Sequence, residues 1–191
     1  MDILFIGDSL VEGSIGVNFL PLIKKEKPNL TLLNQGINGD TLPGISRRLL
    51  HILKREHRYA SIVIEGGHND LLMSSWLKQE EGQVLELTRL LEETLRQVKA
   101  MYQGDVVLTT LSCLGEELAA EPNQKRQQLN SAIKELGRRY GCKVADVGHA
   151  FDEELRGGEQ GDDFLHLTTD GVHINKKGAA LYAREILKCL P

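Results

Sequence analysis

The chain has 191 residues, of which 41% are hydrophobic, 26% charged and 5% aromatic; its formal net charge is −4 at pH 7. This is the composition of a globular chain long enough for a sizeable core, and the length sets an expectation of a single domain over 1–191. The acidic balance, with no Lys/Arg run longer than two, argues against a nucleic-acid surface. No stretch approaches the roughly 18 apolar residues of a membrane span.

The first element read along the chain is the apolar run Ile3–Ile6, which ends in Gly7-Asp8-Ser9-Leu10. The Met-Asp start lacks a basic segment, and the run is too short for a secretion signal, so a cytoplasmic protein is expected. Phe19 and Pro21 suggest a short helix before Asn29. A second run, Leu30–Leu33, leads into Asn34-Gln35-Gly36-Ile37-Asn38-Gly39-Asp40. Thr41 is a candidate N-cap, with Pro43 in the first turn, for a helix striped by Leu42, Ile45, Leu49, Ile52 and Leu53. A third run, Ser61–Ile64, ends in Gly66-Gly67-His68-Asn69-Asp70. The segment Leu71–Gln83, with Met73, Trp76 and Leu77, reads as a loop that walls the site or as an extension of the next helix.

Val84, Leu87, Leu91, Leu95 and Val98 make a long helical stripe. Val106–Leu108 is a fourth run, and the polar segment Leu114–Asn123 is a second candidate wall. Leu129, Ala132, Ile133, Leu136 and Tyr140 make another helix, and Lys143–Val147 is a fifth run. Ala179, Ala183, Ile186, Leu187 and Leu190 make the last helix, starting near Asn175. Cys113, Cys142 and Cys189 are widely spaced and in no C-x-x-C pair, so reduced thiols are expected, with Cys142 and Cys189 buried and Cys113 partly exposed.

Near-continuous apolar strands alternating with helices indicate a parallel sheet covered on both faces. Ligands of such sheets bind at the carboxyl ends of the strands, where the three polar, glycine-rich loops converge. Ser9 alone reads equally as a turn or cap residue. As a nucleophile it needs a base, an orienting group and an oxyanion site. His51 and His57 lie on or beyond the first long helix, and His149 and His166 have no evident partner. His68 sits in a strand-end loop. His173 follows Asp170 by three residues across Gly171, close enough for the carboxylate to accept a hydrogen bond from Nδ1–H, fix the ring's tautomer and leave Nε2 free as base.

Taken together, Gly7-Asp8-Ser9-Leu10, a glycine after the second strand, Gly67-x-Asn69-Asp70 and Asp170-x-x-His173 resemble the GDSL, or SGNH, hydrolases in order, spacing and placement. The resemblance covers nearly the whole chain. It implies a three-layer α/β/α sandwich, flavodoxin-like, with a five-stranded parallel sheet. It implies that Ser9 is the nucleophile, His173 the base and Asp170 its partner. The oxyanion donors it implies are the N–H of Ser9, the N–H of Gly39 and the side-chain amide of Asn69. Gly36 lies near enough to Gly39 to compete for the second role. Asp8 reads as a brace for the turn.

The implied activity is ester hydrolysis through an acyl-enzyme, without metal or cofactor, on a small-molecule ester. Short acyl chains on a soluble or sugar-like alcohol are expected, because two modest walls make a short pocket. A thioesterase or lysophospholipase would use the same site. A metal site from His166, Asp170 and His173 would explain neither Ser9 nor Asn69, and a non-catalytic flavodoxin-like module would not need both nucleophile and base. Gly7, Gly13 and Gly16 match no phosphate-binding loop, and there is no G-x-S-x-G elbow. The sequence is silent on oligomeric state.

Overall fold

The computed structural model describes residues 1–55, 58–77, 82–157 and 165–191, with backbone alone for 74–77. Five parallel strands form one sheet: β1 (Asp2–Gly7), β2 (Thr31–Gly36), β3 (Ser61–Ile64), β4 (Asp105–Thr109) and β5 (Lys143–Ala145). Their spatial order is β2-β1-β3-β4-β5. The helices among the described residues are α1 (Ser9–Glu12), α2 (Leu20–Glu26), α3 (Leu42–Leu53), α4 (His68–Leu77), α5 (Gln83–Met101), α6 (Glu121–Tyr140), α7 (Val147–Gly157) and α8 (Lys176–Leu187).

Successive strand residues point to opposite faces, and the core divides accordingly. Ile3, Phe5, Val63, Val107 and Ala145 pack beneath α2, α7 and α8 with Phe19, Phe151 and Tyr182. Leu4, Ile6, Ile62, Ile64, Val106 and Leu108 pack beneath α3, α5 and α6 with Leu49, Leu95 and Ile133. Each fully buried aliphatic side chain contributes about 1.5–3 kcal/mol, so the two layers hold the sheet from both sides. The result is the expected three-layer α/β/α architecture.

Several boundaries differ from the sequence reading. β2 runs Thr31–Gly36 rather than Leu30–Leu33, so Asn34, Gln35 and Gly36 belong to the strand. β2 is an edge strand, half exposed along its length, and it tolerates polar residues that a central strand would not. The fifth strand stops at Ala145, and Val147 opens α7. Leu71–Gln83 is not a loop from its start: helix α4 begins at His68, with Leu71 buried and Met73 exposed. The Trp76 and Leu77 side chains, and His57, lie outside what is described. Cys113 is fully buried, not partly exposed, and Cys142 is only half buried.

Local chemistry explains the ends that matter for the site. Thr41 occupies the cap position of α3 without a side-chain capping bond; Asp70 Oδ2 accepts from Leu42 N–H at 2.9 Å instead. Asn175 caps α8 by accepting from the N–H groups of Lys177 and Gly178. The order β2-β1-β3 places the chain reversal beside β1, whose carboxyl end is where open sheets of this kind bind ligands.

Candidate active site

Ser9 follows the carboxyl end of β1 directly. Asp8 caps α1 by accepting from Leu10 N–H at 3.0 Å, so Ser9 sits in the first helical turn, whose opening N–H groups have no intrahelical partner. His173 reaches this position from a loop 164 residues away: its Nε2 lies 3.0 Å from Ser9 Oγ. Its Nδ1 lies 2.6 Å from Asp170 Oδ2. The other Asp170 oxygen accepts from the N–H groups of Val172 and His173 at 3.0 and 2.8 Å. Burial raises the Asp170 carboxyl, but these hydrogen bonds outweigh it and hold the group below the usual carboxylate range.

A short antiparallel bridge, Thr168 to Ile174, shapes this loop. Glu116 braces its base. One oxygen accepts from Leu167 N–H, Thr168 N–H and Thr168 Oγ1 at 2.7–2.8 Å, and the other accepts from His166 N–H at 2.5 Å. Partial burial opposes ionisation of Glu116, and the four donors reverse that and hold its pKa low. Gly115 N–H donates to Gly171 O at 2.7 Å. The segment Leu114–Asn123, expected as a wall, is therefore a clamp on the loop that carries Asp170 and His173.

The second strand end supplies a tight turn in which Asp40 N–H donates to Ile37 O at 3.1 Å. Gly39 holds a φ of +73° there, a conformation that glycine adopts without strain, and its missing side chain leaves open space. Gly36, the rival for the oxyanion role, has its N–H engaged by Asn34 Oδ1 at 2.9 Å. Arg48 fixes the turn: Nε donates to Asp40 Oδ2, and its other nitrogens donate to Gln35 O and Gly7 O at 2.7 and 3.0 Å. Asn69, at the start of α4, donates through Nδ2 to Asp40 O at 2.8 Å. The three strand ends are thus tied together, Asn69 to Asp40 and both Ile37 N–H and Arg48 to Gly7 O.

His68 does not line the crevice. It is fully buried, with Nε2 3.1 Å from Ser112 Oγ and Nδ1 3.3 Å from Glu65 Oε1. Among the described residues, Asp8, Glu65 and His68 form the group of metal-binding residue types whose donor atoms lie within 4.8 Å of one another. His166 stands apart from His173, with Nε2 3.3 Å from Glu154 Oε1, so the His166–Asp170–His173 alternative is not assembled. Sequence reasoning missed Arg48, Glu116 and Glu65, whose partners are set by the fold.

No curated protein gives a significant match to the sequence. Two of the solved structures that share the fold illustrate the match. One is LAE5, an alpha/beta hydrolase enzyme from the metagenome of Lake Arreo, Spain; it has 19% identity and a TM-score of 0.81 over 100% of this chain and 96% of that one. The other is Axe2, an acetylxylan esterase from Geobacillus stearothermophilus, with 19% identity and a TM-score of 0.79 over 98% and 92%. The GDSL-like Lipase/Acylhydrolase family matches residues 5–181, which takes in Ser9, Asn69, Asp170 and His173. The chain belongs to that family and is a carboxylic ester hydrolase.

Proposed function

We propose that this protein is a serine esterase that works through an acyl-enzyme, with Ser9 as nucleophile, His173 as base and Asp170 as its orienting partner. The observation that carries this reading is the continuous chain Ser9 Oγ–His173 Nε2–Asp170, at 3.0 and 2.6 Å, at the carboxyl end of β1. His173 Nε2 takes the hydroxyl proton as Oγ attacks the ester carbonyl, and the positive charge on the imidazole is held by Asp170. The N–H groups of Ser9 and Gly39 and the second amide hydrogen of Asn69 receive the developing oxyanion, each worth roughly 10²–10³ in rate. His173 then gives its proton to the leaving alcohol. Water repeats the sequence on the acyl-enzyme. Solved Axe2 catalytic mutants replace a serine, an aspartate and a histidine, the last two three positions apart, which supports the same assignment here.

The substrate reading is a short acyl group on a small soluble or sugar-like alcohol. It is supported by the fold shared with an acetylxylan esterase, and by the use of Leu114–Asn123 as a clamp rather than an apolar wall. Ile15 and Ile37 are 43% and 48% exposed, on loops tied together by Asn38 Nδ2 donating to Ser14 Oγ; they offer a shallow apolar rim. Across p-nitrophenyl esters from C2 to C16 without detergent, kcat/KM is expected to peak between acetyl and butyryl. A peak at C10 or beyond, or a jump at the micelle threshold, refutes the short pocket. Acetylated sugars and acyl thioesters in the same panel separate an esterase from a thioesterase.

Every step of this mechanism uses a protein group, so dialysis against EDTA is expected to leave the rate unchanged. A loss restored by zinc or manganese contradicts it. The described helices include none long and apolar enough to cross a membrane. A cytoplasmic, single-domain protein remains our reading, supported by three free thiols.

A further inference from the structure

Beneath Ser9 lies a buried polar chain that the ester mechanism does not use. Asp8, Glu65, His68 and Ser112 are each at most 1% exposed, and Tyr182 is fully enclosed. Asp8 Oδ2, Glu65 Oε1 and His68 Nδ1 have no conventional hydrogen-bond partner. Such atoms cost about 1–3 kcal/mol each when left unsatisfied, so their arrangement calls for a physical account.

The direction of the chain can be read from its far end. Tyr182 donates its hydroxyl to Ser112 Oγ at 3.2 Å. Ser112 is then free to donate to His68 Nε2 at 3.1 Å, which puts the imidazole hydrogen on Nδ1. Nδ1 then faces Glu65 Oε1 at 3.3 Å and Asp8 Oδ2 at 3.8 Å, close to both carboxyl groups but outside hydrogen-bond geometry. Glu65 Oε2 accepts from Asp8 N–H at 3.4 Å, and the two buried carboxyl groups lie side by side, with an oxygen of each within 4.8 Å of the other. Two ionised carboxylates buried at that separation would repel, and one proton held by the pair removes the repulsion. A proton on Asp8 Oδ2 gives that unpartnered oxygen a donor to aim at Glu65. Gly7 makes room for the arrangement: a Cβ there would stand 2.7 Å from Glu65 Oε2.

We propose that Asp8 and Glu65 share one proton beneath Ser9, and that this proton positions the nucleophile's turn. Asp8 spends its other oxygen on Leu10 N–H, so whatever holds the Asp8 carboxyl holds the first turn of α1 and the Ser9 hydroxyl with it. Glu65 and His68 are thus positioning residues that act through Asp8.

The electrostatics agree. Burial, reinforced by the charge of Glu65, pushes the Asp8 carboxyl up to about 8, and burial pushes Glu65 up to about 7. Burial drives His68 down to about 4, which keeps it neutral. Other groups facing His68 are Arg126 and His173, which disfavour its charge, and Asp70, which favours it. Arg126 is paired with Asp152 at 2.7 Å. Tyr182 and Cys113 are both pushed up by burial and stay neutral.

The sign follows. As pH rises past the range of the pair, the proton leaves, the two charges repel and the Ser9 turn is displaced. The rate of the wild type should therefore fall on the alkaline side, by up to tenfold per pH unit. This limb rests on the assignment of Ser9, whereas a second readout does not: at pH 6 the wild type should show the infrared carbonyl band of a buried protonated carboxylic acid, lost in Asp8→Asn. In Asp8→Asn a permanent amide donor replaces the shared proton while its oxygen keeps the Leu10 bond. That variant should keep the pH 7 rate within about threefold and lose the alkaline limb. Glu65→Leu should cost at least about tenfold at every pH, and Glu65→Gln, which restores a donor, should recover most of it. Superimposable pH profiles for wild type and Asp8→Asn overturn the proposal. So does an absent infrared band, or a stoichiometric metal in the purified wild type that Asp8→Asn fails to retain. Should Asp8→Asn not fold, Glu65→Gln carries the same comparison of alkaline limbs.

Discussion

Ser9→Ala is expected to lower kcat for p-nitrophenyl acetate by at least about 10⁴-fold, because losing the nucleophile removes the covalent route and leaves only binding and oxyanion stabilisation. The fold should survive. Ser9 Oγ contributes one hydrogen bond, to His173 Nε2, whose net worth is about 1 kcal/mol. In a domain of this size that moves Tm by roughly 2–4 °C. A fluorophosphonate probe should label the wild type and not the variant. A rate within tenfold of wild type, with an intact melt, removes Ser9 from the mechanism.

The second large effect is at the base. His173→Ala should cost as much as Ser9→Ala, since the two act as a unit, and the double variant should be no worse than either single one. Asp170→Asn should cost less, about 10²–10⁴-fold. Its oxygen can still accept from the loop N–H groups, but its amide cannot accept the Nδ1 hydrogen, so the ring loses its preferred tautomer. On the acid side, kcat/KM should rise with pH through one ionisation, because protonated His173 cannot accept the Ser9 proton. Glu116→Gln tests the clamp indirectly and should lie between these effects and wild type. If His68→Ala abolishes the rate while His173→Ala is mild, the base is misassigned.

The sequence showed the central sheet well and its margins poorly. Ser61–Ile64 is β3 to the residue, because a strand covered on both faces must be apolar throughout. β2 extends beyond its apolar run because an edge strand can carry Asn34 and Gln35. α7 was partly absorbed into the fifth strand, although Val147, Ala150 and Phe151 have helical spacing and are buried. α4 lacks a clean apolar stripe, so periodicity gave no sign of it. The motif residues Ser9, Gly39, Asn69, Asp170 and His173 were legible as blocks; Ser9, His173 and Asp170 form one hydrogen-bonded chain, and Asn69 is tied to Asp40 beside Gly39. Glu65, Glu116 and Arg48 were not. Glu65 meets Asp8 across 57 residues and Glu116 meets Thr168 across 52, and no local pattern announces contacts of that separation. Arg48 looks like any polar residue on an amphipathic helix until the turn it holds is seen.

The distance of 164 residues between the Ser9 hydroxyl and the His173 ring has a consequence for the growing polypeptide. At about 5–20 residues per second, the ribosome takes roughly 8–30 s to deliver the second after the first. On the roles proposed for Ser9 and His173, the serine has no partner to activate it throughout that interval. Esterase activity is then expected only once the Thr168–Ile174 loop has brought His173 to Ser9, and hydrolysis of a fluorogenic ester by arrested nascent chains would time that closure directly.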